Sequence, residues 1–455
     1  MLSDKFRRQL QQEIDQWRTD KLIDDSLYEQ LSQRYQFSDL EISARNRFVV
    51  ILLGLGSVLL GLGVITFVAA NWQFWSRESK VILLLSGFIG INTAGFYLWR
   101  RPTERWQRRL GHGLLLLGAI VLGANMALMS QMFHQSGGVY QLYIVWGLGV
   151  LAMAYSLQLT SLGILAFLLI GLGYVQSFWQ QPEFVAIGEF SWLRFLVQHM
   201  PLLSLLMFIP LAYWCRSRWI FRLGAIAVVS SLEANLLGVN LWGSNAWLAA
   251  SACALPPALL WAYNDSLWRQ RFIGTESFNS TARTLAVTFL SLMFYVLAFY
   301  EIWNKSSVIS TEEAALINLN GFIVLDILIL GSLTVWQWIR LLRRMDGTSI
   351  TLAIMTAISA LIAYWHLSLG RLQITAVLVF NVLLFILAVG LIREGIRDSR
   401  RRIFWGGMVL LTMQIFSRML EYETELIFKA IVLLLCGFGV IAAGLWFERS
   451  VRIRR

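Results

Sequence analysis

The chain has 455 residues, 57% hydrophobic and 14% charged, with a formal net charge of +11. Soluble domains carry about 25% charged residues. Here the deficit runs the length of the chain, which excludes a soluble protein with a single anchor and points to an all-α, polytopic transmembrane helical bundle.

The first 47 residues are polar and charged, so no short basic leader followed by an apolar core is present, and no cleavable signal peptide is expected. Phe6, Leu10, Ile14 and Trp17 recur at steps of three to four, one face of a helix. Asp24 or Asp25 is placed to cap a second helix carrying Leu27, Leu31 and Tyr35. Residues 1–47 are therefore expected to form a cytosolic helical hairpin. Two such short helices bury little core alone, which makes this piece either a cover for membrane-side loops or a docking module for a protein partner.

A membrane-spanning helix needs about 20 mostly apolar residues. About fourteen segments qualify: 48–70, 80–99, 110–130, 139–156, 160–178, 201–215, 220–242, 246–263, 282–303, 316–339, 349–365, 372–392, 403–417 and 427–447. The segments 201–215, 349–365 and 403–417 are short for a full crossing. The connections are too brief for a soluble domain, so the organisation reads as the hairpin, a four-span unit over 48–156 and a ten-span region over 157–455. Many of the 20 tryptophans stand at the ends of apolar runs, among them Trp72, Trp75, Trp99, Trp106, Trp179 and Trp446, where an amphipathic ring sits best at headgroup level.

Charge tests the count. With the N-terminus inside and every second connection cytosolic, 31 of the 38 basic residues fall on the inner side and 7 on the outer. A missed or invented span would invert the pattern beyond the error. An even number of spans with both termini cytosolic follows, and the positive net charge becomes a topological signal, not a nucleic-acid footprint. The cysteines, Cys215, Cys253 and Cys436, are isolated and form no CxxC pair, so no disulfide framework or metal cluster is expected.

The usual phosphate-cradling, zinc-protease, hydrolase and dinucleotide signatures do not occur. The four histidines, His112, His134, His199 and His366, are far apart in sequence. No catalytic residue, cofactor or metal is therefore assigned. What remains is polar residues inside apolar spans. Glu233 and Asp326 lie within their spans, where an ionised carboxylate costs at least ~2.5 kcal/mol on insertion scales. Glu233 shares a helical face with Ser230 and Asn240, whereas Asn235 lies off that stripe. These positions form either a proton or cation path, or neutral carboxyls hydrogen-bonded across helix interfaces. Asn92, Asn125 and Asn381 read as interhelical hydrogen-bonding groups. At the outer ends of the first and third spans, Asn71 and Trp72 with Gln131 and His134 are expected either to line a shallow non-cytosolic pocket or to form a structural plug.

Trp17, Leu22 and Ile23 followed by Tyr35, the AANW of residues 69–72, and the LGANMALMSQMFH of residues 122–134 together resemble the domain of unknown function 2157 family of predicted bacterial membrane proteins. The resemblance covers roughly residues 10–155. It implies an integral protein of a bacterial cytoplasmic-type membrane, and supplies no activity and no catalytic residues.

Three functional classes fit these features. A transporter-like protein for a small solute or ion fits the many spans, short loops and intramembrane carboxylates. A non-catalytic scaffold, assembly or regulatory protein fits the lack of motifs and the N-terminal hairpin. A lipid- or glycan-modifying enzyme fits least, since the outer loop between residues 179 and 200 offers only Glu183, Glu189, Arg194 and His199. A polar cavity reaching Glu233 or Asp326 would favour transport, and a solid apolar bundle a scaffold.

Overall fold

The computed structural model describes residues 4–20, 22–35, 74–134, 137–179, 192–237, 246–265, 277–304, 321–343, 346–370, 372–421 and 425–453. All regular structure among them is helical. The chain divides into two units, residues 1–89 and 90–455.

The first unit begins with α1 (Asp4–Thr19) and α2 (Asp25–Tyr35). Asp24 caps α2: its carboxylate accepts from the Leu27 N–H (3.0 Å) and the Ser26 hydroxyl (2.9 Å), satisfying a donor left open by the helix start. Ile14 is the buried centre of the hairpin, packed by Leu10, Ile23, Tyr28 and Leu31. Trp17 and Leu27, expected inside, are exposed. Tyr28 takes the inner place because its hydroxyl reaches Asp15 (2.8 Å) and the Arg18 guanidinium covers its ring at 4.7 Å, so a polar tip and an apolar ring are satisfied together.

The remaining helices are α3 (Arg77–Arg100), α4 (Arg105–Met132), α5 (Val139–Leu157), α6 (Thr160–Trp179), α7 (Trp192–Gln198), α8 (Met200–Trp214), α9 (Arg218–Leu237), α10 (Ala246–Ala262), α11 (Asn279–Leu297), α12 (Tyr300–Asn304), α13 (Gly321–Leu342), α14 (Gly347–Ser368), α15 (Gln373–Arg397), α16 (Arg401–Glu421) and α17 (Leu426–Ile453). Eleven described helices are long and apolar enough to cross a membrane, and α8 and α10 are shorter apolar helices. Every expected span but the first has a helix; segment 48–70 lies outside the described residues. Two of the segments judged short extend to 22 residues (α14) and 21 residues (α16). Segment 201–215 stays short, at 15 residues, with Pro210 inside it.

Three antiparallel hairpins, α5–α6, α8–α9 and α15–α16, are the most intimately packed neighbours. Each turns on a non-glycine residue in the left-handed region: Gln158 (φ 55°), Arg216 (φ 49°) and Ser399 (φ 53°). At the last two, an N–H reaches back across the turn, Ser217 to the Ala212 carbonyl and Arg400 to the Gly395 carbonyl, each at 2.9 Å, which is the Schellman closure of a helix end. Small residues let the helices close on one another. A Cβ at Gly395 would stand 2.4 Å from the Phe404 nitrogen, and one at Gly123 would stand 2.2 Å from the Trp146 ring. The Trp146 indole uses that space to donate to the Ala119 carbonyl at 2.7 Å.

The main core runs through Phe208, Tyr213, Phe221, Phe278, Phe294, Trp303 and Phe380. A smaller apolar cluster joins α9, α10 and α13 through Leu232, Leu255 and Leu330. Outward faces are apolar as well: Leu378, Val382 and Phe385 on α15 and Leu434, Leu435 and Phe438 on α17 are exposed. Apolar residues on the outside as well as the inside suit a hydrocarbon surround. Helix α17 buries almost nothing and is held to α16 by the stacked pair Phe404–Phe447 (4.2 Å) and the ion pair Arg401–Glu448 (2.6 Å).

The segment expected as one span over 282–303 is broken. Helix α11 stops at Leu297 and α12 starts at Tyr300. No proline or glycine lies at the break, and its cause is tertiary.

Candidate functional site

Among the described residues, the most deeply buried pairing of a basic with an acidic side chain joins two helices far apart in sequence. His199 Nδ1 is hydrogen-bonded to Asp326 Oδ1 at 2.6 Å, with the two residues only 4% and 2% exposed. His199 sits at the N-cap of α8, between α7 and α8. Pro201 in the first turn of α8 has no N–H to continue the ladder of α7, so the helix is interrupted there and His199 is turned toward α13. The ring of Phe195, one turn earlier, lies 4.5 Å from the imidazole. Asp326 lies in the second turn of α13, one turn before the fully buried Leu330.

The pair belongs to a longer network. Tyr174 on α6 donates its hydroxyl to Asn235 Oδ1 (2.8 Å) and to the Ser231 carbonyl (3.1 Å). Asn235 Nδ2 on α9 donates to the carbonyl of Gln198 (2.8 Å), the residue before His199. The network therefore gathers the C-terminal ends of α6 and α9 with the N-terminal ends of α8 and α13. Most of the network's buried polar groups find a partner, as low-dielectric surroundings require. Asp326 Oδ2 is buried and accepts no hydrogen bond among the described residues. A carboxylate with one free oxygen in an apolar wall is a chemical position for a proton or a small cation.

Of the two expected intramembrane carboxylates, Asp326 is thus the one that the structure hydrogen-bonds to a titratable side chain. Glu233 is half-buried on α9 and close enough to Cys253 on α10 to interact electrostatically. It lies two residues, about 200° of helical turn, from Asn235, and so faces away from the pair. Ser230 is exposed and bonds back to the Ala227 carbonyl at 3.4 Å. Asn240, Asn71 and Trp72 lie outside the described residues. Gln131 and His134 are exposed at the end of α4, with His134 in the left-handed region at φ 51°.

Sequence reading named His199 only as a separate loop histidine and Asn235 only as lying off the Glu233 stripe, and it did not single out Tyr174. His199 stands beside the Met-Pro start of a span, on the side where topology also puts the near end of Asp326's span. That coincidence was the available signal.

Two further polar clusters are structural in character. At the other ends of α8 and α10, the Asp265 carboxylate accepts from the Tyr213 hydroxyl, the Ser277 hydroxyl (2.6 Å) and the Phe278 N–H (3.2 Å), while Tyr263 meets Tyr213 at 2.7 Å. This closes the two ends of the 266–276 connection on each other. The second cluster explains the break after α11. Arg418 Nη1 donates to the Ala298 carbonyl (2.8 Å), Asn381 Nδ2 donates to the same oxygen (3.2 Å), and the Trp303 indole donates to the Leu297 carbonyl (2.7 Å). Glu421, paired with Arg418, accepts from the Tyr300 N–H at 2.6 Å. The cation meets the carbonyl end of α11 and the carboxylate meets the first N–H of α12, each on the side its charge favours. Asn381 thereby joins helices as its sequence context suggested.

No group of three or more metal-ligating side chains occurs among the described residues. No curated protein and no solved structure matches the chain. Residues 15–163, the N-terminal third, match the family model described as predicted membrane protein, domain of unknown function 2157 (DUF2157), and with its many apolar helices the protein is a multi-pass membrane protein.

Proposed function

We propose that this protein is a transporter-like membrane protein for a small solute or ion, in which His199 and Asp326 bind the proton or cation that moves. The supporting observation is the buried His199–Asp326 hydrogen bond, which with Asn235 and Tyr174 gathers four helices of the bundle. A buried ionisable pair inside membrane-spanning helices is costly to keep and is characteristic of ion and proton pathways. We place the protein in a bacterial cytoplasmic-type membrane, as its resemblance to the family implies, with both termini cytosolic, from the 31-to-7 division of its basic residues. The hairpin of residues 1–47 is then cytosolic, followed by the four-span and ten-span regions. In this orientation the pair lies toward the non-cytosolic ends of its helices.

Proteoliposomes holding a pH-sensitive dye provide the test. The wild-type protein should dissipate an imposed pH gradient faster than empty vesicles, and Asp326→Asn and His199→Gln should both return the rate to the empty-vesicle level while reconstituting equally well. Equal rates for wild type and Asp326→Asn would remove the proton reading. The second reading, a non-catalytic scaffold or assembly protein, is favoured by one observation: the cleft beside Asn381 and Gln414 is lined by neither Glu233 nor Asp326.

A further inference from the structure

Beside the broken span, a cleft of about 660 Å³ opens between α12, α15 and α16. Its size falls within the ~300–1,000 Å³ of small-molecule sites. Leu378, Val382 and Phe385 form an apolar wall that is itself exposed on the outside of the bundle, and Tyr300, Asn381 and Gln414 supply the polar lining. Both amides have spent their donors. Gln414 Nε2 donates to the Asn381 backbone carbonyl (2.8 Å) and to Asn381 Oδ1 (3.4 Å), and Asn381 Nδ2 donates to the carbonyls of Val377 (2.8 Å) and Ala298 (3.2 Å). What is left is the Gln414 amide oxygen. Gln414 is 8% exposed, and its Oε1 accepts no hydrogen bond among the described residues. One helical turn further along α16, Arg418 and Glu421 neutralise each other.

We propose that this cleft is a binding site for a neutral lipid bearing a hydroxyl group, its chain lying along the Leu378–Val382–Phe385 wall and its O–H donating to Gln414. The chemistry selects this class. Among the lining side chains Gln414 offers an acceptor and the donors of Tyr300, Asn381 and Gln414 are all engaged, which disfavours acceptor-only heads such as esters. The balanced ion pair leaves no net charge to attract a phosphate or carboxylate. The exposed apolar wall admits a chain from the bilayer without passage through water. The site is separate from the His199–Asp326 pair and stands or falls independently of the transport reading.

The test uses the full chain in lipid nanodiscs with a long-chain alcohol carrying a diazirine along its chain, compared with its methyl ether. After irradiation, labelled residues are mapped by mass spectrometry. The alcohol should label residues 374–385 about tenfold more than the ether, the ratio that one hydrogen bond supplies. Gln414→Leu should bring the alcohol down to the ether's level. Leu378→Trp, at an exposed wall position, should block labelling by both. Equal labelling by alcohol and ether, labelling of this segment that survives Leu378→Trp, or no labelling of α15 would each overturn the proposal.

Discussion

Glu421→Gln isolates one charge at the broken span. Glutamine retains an oxygen for the Tyr300 N–H, so the hydrogen bond that Glu421 accepts at 2.6 Å is preserved in kind. What disappears is the counter-charge of Arg418, in a pair whose side chains are only 13% and 16% exposed. Removing one partner of a buried ion pair costs about 3–5 kcal/mol because the other charge stays behind uncompensated. Arg418 keeps two consolations: the Ala298 carbonyl, and the Phe299 ring 4.8 Å from its guanidinium carbon, a cation–π contact of about 0.5–2 kcal/mol. The expected loss is therefore about 3 kcal/mol, roughly a hundredfold in the unfolding equilibrium. Equilibrium unfolding of the purified protein in mixed micelles measures it. Arg418→Met combined with Glu421→Gln should be less destabilised than the sum of the two single variants, since no orphaned charge remains in the double variant. A loss below about 1 kcal/mol for Glu421→Gln, or strict additivity in the cycle, would show that the pair is solvated and that the break is held by something else.

Two other substitutions and one titration probe the remaining structure. Gly395→Ala should destabilise by about 1–3 kcal/mol, because its Cβ would meet the backbone of Phe404 at 2.4 Å. Gly390→Ala on the same helix has nothing within 4 Å and should stabilise by about 0.5–1 kcal/mol; unfolding midpoints of the two variants decide, and equal effects would refute the close α15–α16 approach. In the N-terminal hairpin, the Ser26 hydroxyl and the Leu27 N–H hold the Asp24 carboxyl below its ordinary value of 3.8. A depressed folded value means that the cap's contribution is present above 3.8 and is lost as pH falls through the folded value. Hydrogen-exchange protection of residues 25–35, corrected for intrinsic rates, should fall over that range in the wild type. In Asp24→Ala it should be low and insensitive to pH, and an unchanged wild-type profile in that variant would refute the cap.

The membrane helices were legible because hydrocarbon thickness sets a length that an apolar run must meet, and that signal survives ignorance of every contact. Asp326 was legible for the same reason, as an acid inside such a run. Its partner was not: His199 is 127 residues away and lies at a helix boundary, so no local pattern joins them. Asn235 seemed to stand off the polar stripe of α9 because the stripe was drawn through Glu233. The structure orients the helix by Tyr174 and the Gln198 carbonyl instead. The three hairpin turns carried no glycine to announce them, since Gln158, Arg216 and Ser399 adopt the left-handed region themselves. The break between α11 and α12 was invisible for a related reason. Ala298 and Phe299 favour no interruption, and it is the distant side chains of Asn381, Arg418 and Glu421 that reward one.

That dependence imposes an order of events during synthesis. The Ala298 carbonyl waits for Asn381, 83 residues later, and for Arg418, 120 residues later. At about 5–20 residues per second, roughly 6–24 s separate the emergence of α11 from that of the arginine. Through that interval only the nearby Trp303 indole, which reaches the Leu297 carbonyl, rewards a break, while a continuous ladder remains the cheapest way to satisfy backbone groups in hydrocarbon. The native break is then installed late, when the hairpin of α15 and α16 docks. A nascent chain truncated before α16 should hold residues 279–304 as an uninterrupted helix, so the last-made part of the protein remodels a span inserted long before it.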